Sequence, residues 1–150
     1  MFRVLIVIFL LFGGSLAAQD HPYPHFNFAY SQYPEIPRGM LEAISYTQTH
    51  VRHVMPNEAA GCSGIPQYVG IMGLIGDGKG VFRENLGLVA DLSGMPMLDI
   101  MTEPSSQIIA YARAYRQLNQ QLGPFDAQNP AAHLPVLAAL SELPLNTTDG

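Results

Sequence analysis

Gln48 is the residue whose type and position carry the most chemical information. Leu41, Ile44, Val51 and Met55 recur at spacings of three and four, the pattern of one buried helical stripe, and Gln48 falls on that stripe. A polar amide facing inward requires hydrogen-bond partners or a cleft to look into. An amide cannot give up a proton as a general acid does. Other chemical constellations are incomplete. His50 and His53 stand three apart, whereas a zinc metalloprotease helix needs two histidines four apart with an interposed Glu. His21, His25 and His133 are scattered, and His50 and His53 read as surface residues late in a helix, where positive charge is tolerated. Gly73-Leu74-Ile75-Gly76-Asp77-Gly78-Lys79-Gly80 nearly spells a phosphate-binding loop, but Gly80 replaces the Ser or Thr that holds Mg²⁺. It reads as a glycine-rich turn. There is no Gly-x-Ser-x-Gly elbow and no Cys/His dyad, and no metal or cofactor is expected. Cys62 is the one cysteine, which excludes an intrachain disulfide and a Cys-based zinc site. It is a buried thiol or the partner of a cysteine outside this stretch.

The composition narrows the setting. Seven Lys and Arg against twelve Asp and Glu give a formal charge of −5, which argues against a nucleic-acid partner. Only 13% of residues are charged, where about 25% is usual. Part of that scarcity comes from the beginning of the chain. Arg3 precedes the apolar run Val4 to Phe12, Gly13-Gly14 breaks it, and Ser15-Leu16-Ala17 places small residues at a cleavage site. This is the layout of a secretory signal peptide over residues 1–17, with a core short for a membrane span. An uncleaved anchor is the alternative. The sequence therefore predicts an exported protein, periplasmic or extracellular.

The elements that position Gln48 are helical. Residues 18–36 hold five aromatics among prolines 22, 24 and 34, which predicts an extended arm packed across a helical domain. Stacking of those aromatics on sugar rings is the other reading of the arm. A helix is expected from Pro37 to Met55, ended by Pro56-Asn57. Residues 57–80 are glycine-rich and loop-like, with Tyr68 to Ile75 forming a short strand pair or a buried loop. Further helices are expected at about 81–93, stopped by Gly94, and briefly from Pro96 to Met101. A longer one runs from Ser105 to Leu122, with Ile108, Ala112, Tyr115, Leu118 and Leu122 on its core face. A final helix has Asn129 as cap and Pro130 at its first position, lined by Val136, Leu137, Leu140 and Leu143. Residues 145–150 read as a polar linker or tail. The prediction is an all-α domain spanning 37–144.

Three segments carry a family resemblance. Leu41-Glu42-Ala43-Ile44-Ser45-Tyr46-Thr47-Gln48-Thr49 resembles the first helix motif of the lysozyme-like lytic transglycosylases, where a catalytic Glu lies four residues after the Ile. Gly70-Ile71-Met72-Gly73-Leu74 resembles that family's Gly-Leu-Met-Gln-Leu loop beside the sugar groove. Ile108-Ile109-Ala110-Tyr111-Ala112 resembles the helix packed behind the groove. Here Gln48 stands at the position of the acid, Thr49 at that of the following Ser, and Gly73 at that of the loop Gln. This degenerate form is similar to the N-terminal region of exported bacterial N-acetylmuramoyl-L-alanine amidases. The matching residues are Pro37, Gly39, Leu41 to Thr49, Phe82-Arg83, Asn85-Leu86, Leu92-Ser93-Gly94 and Leu134 to Pro144.

The resemblance implies a lysozyme-like helical fold whose groove holds peptidoglycan glycan strands without glycosidase chemistry. Its implied lining is Tyr46, Gln48, Ile71, Met72 and Tyr115. A zinc amidase domain would lie downstream, since no histidine follows His133 in this chain. Two rivals remain: a transglycosylase or lysozyme-like hydrolase that uses Glu42, Glu58 or Glu84 instead, and a purely structural interaction domain. Glu42 sits six residues before Gln48, roughly 120° around the helix, and is poorly placed to replace it.

Overall fold

Prolines and glycines set where each helix begins and ends. The computed structural model describes residues 22–56, 67–76 and 83–143. The expected leader at residues 1–17, Glu58, Cys62, the Asp77 to Gly80 part of the glycine-rich turn, Phe82 and residues 144–150 lie outside the described residues. Among the described residues, six α-helices follow in order: α1 (Tyr23–Gln32), α2 (Met40–Thr49), α3 (Asn85–Ser93), α4 (Met97–Thr102), α5 (Pro104–Leu122) and α6 (Leu134–Leu140). A 3₁₀ turn, Pro130–His133, leads into α6. The only β pairing among the described residues is two isolated bridges, so the all-α prediction stands.

Helix α1 corrects the extended arm. Pro22 precedes the helix and Pro24 lies in its first turn, where a missing N–H removes no intrahelical bond. The Pro22 carbonyl accepts from the His25 and Phe26 amides at 3.0 and 3.3 Å, and Pro34 falls beyond the helix end. Phe26, Ala29, Tyr30 and Tyr33 are buried, a helical stripe in its own right.

Helix α2 is shorter than its apolar repeat. It starts at Met40 rather than Pro37, because Gly39 adopts φ +83° and Pro37 instead accepts a turn bond from the Met40 amide. It stops at Thr49. His50 and Val51 both take left-handed conformations, at φ 54° and 61°, and their amides close back onto Tyr46 and Ser45. Val51 packs against the core without being helical, and Met55 is exposed, so the repeat outlasts the helix.

Helix α5 is the spine against which α1, α3, α4 and α6 pack. Ile108, Ala112, Tyr115 and Leu118 are buried as expected, whereas Leu122 is about half exposed where the helix frays into Gly123. Leu86 and Val89 of α3 and Val136 and Leu140 of α6 are buried against this spine, and Gly94 ends α3 in a left-handed conformation. Asn129 contributes its carbonyl to Ala132 rather than a side-chain cap, and Leu143 points outward. The apolar stretch before Gly76 is a buried loop: Val69, Ile71, Met72, Leu74 and Ile75 are all inside, with Val69 bridged to Leu74 and Gly70 bridged to Val54.

Candidate functional site

A buried loop has backbone groups that must be satisfied without water. Four polar side chains from three helices do this for residues 69–75. On α2, Ser45 Oγ donates to the Ile71 carbonyl at 2.8 Å, and Thr49 Oγ1 lies 2.7 Å from the same oxygen. On α5, Gln107 Oε1 accepts from the Met72 amide at 2.7 Å while its Nε2 donates to the Val69 carbonyl at 3.1 Å. At the start of α3, Asn85 Oδ1 accepts from the Ile75 amide at 2.7 Å and its Nδ2 donates to the Leu140 carbonyl at 3.1 Å. One loop is thereby tied to α2, α3, α5 and α6.

Two glycines let the loop come this close. A Cβ at Gly70 would fall 2.0 Å from Gln107 Nε2, and one at Gly73 would fall 2.4 Å from Gln48 Cβ. Both have positive φ, 73° and 63°, which a side chain resists independently. Gly73 therefore seats directly against Gln48.

The result is a cleft of about 190 Å³ with Gln48 in its wall. Ile44 and Thr47 share its α2 side, Met72 and Gly73 its loop side, and Tyr111 its α5 side. Arg83, Asn85, Leu137 and Ser141 complete it. Among the described residues no carboxylate and no imidazole lines this cleft, and Arg83 is the one charged lining group. The Tyr111 phenol is pushed well above the ordinary tyrosine range, first by burial and then by neighbouring Tyr115, so it remains a protonated hydroxyl. The arrangement offers neutral hydrogen-bonding groups and apolar surface, with one cation and no acid. Among the described residues this lining offers hydrogen bonds and apolar contact, and none of its groups is a carboxylic acid or imidazole of the kind that protonates a leaving oxygen.

The five residues implied by the resemblance do not all meet. Gln48 and Met72 line the cleft. The Ile71 side chain is buried and absent from the lining; its carbonyl is the anchor for α2. Tyr46 is 61% exposed, away from the cleft lining, with its ring edge-on to His50. Tyr115 is 0% exposed and stacks on His133, so it has no surface to offer a ligand there. Tyr111, one helical turn earlier, takes the place expected of Tyr115. It shares the polar-on-apolar stripe signal with Gln107, four residues before it on the same face of α5.

Two of the alternative carboxylates, Glu42 and Glu84, are elsewhere, and Glu58 lies outside the described residues. Glu42 accepts a hydrogen bond from the Tyr30 hydroxyl, which also accepts from the Leu41 amide at 3.0 Å. Glu84 lies at the start of α3, its amide bound to the Glu142 carboxylate, and neither lines the cleft. His50 closes α2, and no group of three or more His, Cys, Asp or Glu among the described residues is arranged to hold a metal ion. No helix among those residues is long and apolar enough to cross a membrane. Compared with known proteins, the chain matches no family model, no curated protein and no solved structure.

Proposed function

We propose that this chain is an exported, peptidoglycan-associated domain of lysozyme-like fold that docks a glycan strand in the Gln48 cleft without cleaving it. The observation that carries the reading is convergence. The three segments that resemble the transglycosylase motifs are far apart in sequence, yet one cleft has Gln48 and Ile44 from the first, Met72 and Gly73 from the second and Tyr111 from the third in its wall. Gln48 stands where the resembling family places its acid. The amide, the Thr47 and Tyr111 hydroxyls and the Met72 thioether together suit a sugar ring, which presents hydroxyls at its edge and C–H groups on its faces. At about 190 Å³ the cleft is smaller than the roughly 300–1,000 Å³ usual for drug-sized ligands. It fits one ring of a strand whose remainder lies along the surface. The leader at residues 1–17 supports export, with the mature chain starting at Ala18. The similarity to amidases supports a place beside a zinc amidase domain that cuts between muramic acid and the stem peptide.

The absence of any carboxylate from the described lining favours binding over a hydrolase that uses Glu42 or Glu84. Cosedimentation of the mature chain with purified peptidoglycan sacculi tests the proposal, with muropeptide release followed in the same tubes. Retention on sacculi with no released muropeptide is the expected result. A chain that stays in the supernatant refutes the docking role, and anhydromuropeptide products refute the loss of catalysis.

A further inference from the structure

A second cleft, of about 320 Å³, opens on the other side of α5. It is lined by Tyr33, Ser93, Arg113, Arg116, Gln117 and Gln120, with Leu92 beside them. The four α5 positions lie roughly 140–240° around the helix from Tyr111, and the two clefts share no lining residue. Its character is cationic in a chain of net charge −5. Two of the five arginines among the described residues stand here, three positions apart on one helix face. Like charges at that spacing oppose each other, so the pair weakens the helix unless something is gained by keeping it.

Tyr33 organises the pair. Its hydroxyl accepts a hydrogen bond from Arg113 Nε at 3.0 Å, and its ring lies 5.9 Å from Arg116 Cζ. Tyr33 is itself buried to 8% exposure, so it is a fixed support rather than a mobile surface group. With Nε engaged, the two terminal nitrogens of Arg113 remain as a planar fork, and no carboxylate among the described residues neutralises it. Arg116 has one carboxylate neighbour, Glu35 at 3.5 Å, a loose contact on a side chain that is half exposed. The Tyr33 hydroxyl accepts from Arg113 and keeps its own proton to donate. Gln117 and Gln120 add neutral amides one turn further along.

We propose that this second cleft is a receptor for an oxyanion group, a carboxylate or a phosphate, held between the Arg113 and Arg116 guanidiniums. Two planar forks and a hydroxyl donor match the geometry of either anion, which accepts paired N–H bonds. The site is independent of the Gln48 cleft and of its proposed sugar ligand.

The test is an NMR titration of the full chain at low ionic strength, following the arginine Nε–Hε resonances with acetate and, separately, inorganic phosphate. Saturable shifts confined to Arg113 and Arg116 are expected with at least one anion, and the tighter of the two identifies the chemistry. Arg113→Lys and Arg116→Lys keep the charge but lose the fork, and each weakens that affinity at least about fivefold. Unsaturable shifts, or shifts spread evenly over all arginines, mean general screening and overturn the proposal. Unchanged affinity in both lysine variants overturns it as well.

Discussion

At the scale of single residues, the Gln48 cleft depends on two glycines and two amides. Gly73→Ala places a methyl 2.4 Å from Gln48 Cβ at a backbone φ of 63°, so the loop must shift away from α2. A loss of about 1–3 kcal/mol is expected, read as a lower urea midpoint at constant slope. Gln107→Ala leaves the Met72 amide buried without its partner, while the Val69 carbonyl keeps only the Leu74 amide at 3.0 Å. That costs about 1–3 kcal/mol, although Gln107 touches no candidate ligand. A Gln107→Ala chain as stable as the parent contradicts the clamp. The stripe pattern made Gln48 legible because an amide interrupted a run of apolar residues. Gln107 gave the same signal on α5, but its partners lie 35 and 38 residues upstream in a loop whose path no local pattern specifies. Tyr115 was the natural candidate for the cleft by its position on the core face. Only the rotation of α5 against the loop shows that Tyr111 faces the cleft and Tyr115 the interior.

At the scale of elements, termini were harder to read than helix type. Periodicity identifies α2, α3, α5 and α6, Gly94 ends α3 as the sequence predicts, and Gly123 follows the last residue of α5. It overran α2 because Val51 and Met55 keep the spacing after the backbone has turned left-handed at His50. It does not reveal α1, because prolines 22, 24 and 34 obscure the buried stripe of Phe26, Ala29, Tyr30 and Tyr33. Pro24 is harmless in the first turn and would be disruptive only deeper in the helix. Two outcomes follow from this description of α2. Leu41 is fully buried, so Leu41→Ala lowers stability by about 2–5 kcal/mol. His50 is exposed with φ 54°, so His50→Gly removes left-handed strain and raises stability by about 0.5–1 kcal/mol. Thermal denaturation checks both, and a destabilised His50→Gly chain argues against the left-handed ending of α2.

At the scale of the whole molecule, α5 joins two clefts of different character, one neutral except for Arg83 and one cationic. The fold between them is sensitive to alkali. The phenols of Tyr30, Tyr111 and Tyr115 are all pushed above the ordinary range, in each case chiefly by burial; the Glu42 hydrogen bond adds to it for Tyr30 and nearby Tyr115 for Tyr111. The unfolded chain releases these protons near pH 10 while the folded chain holds them. The stability they contribute is therefore complete below about pH 10 and declines as the pH rises beyond it. Melting temperatures measured with tyrosinate absorbance should fall together with delayed ionisation, and stability unchanged into strong alkali contradicts the burial of these phenols. The central claim is that a glycan ring sits against Gln48. It is tested most directly by titrating the labelled mature chain with a soluble N-acetylglucosamine–N-acetylmuramic acid fragment and following the Gln48 side-chain amide. The account predicts saturable shifts at Gln48, Thr47, Met72 and Gly73, with the fragment recovered uncut. No shift at these residues, or saturation only at a distant surface, contradicts it.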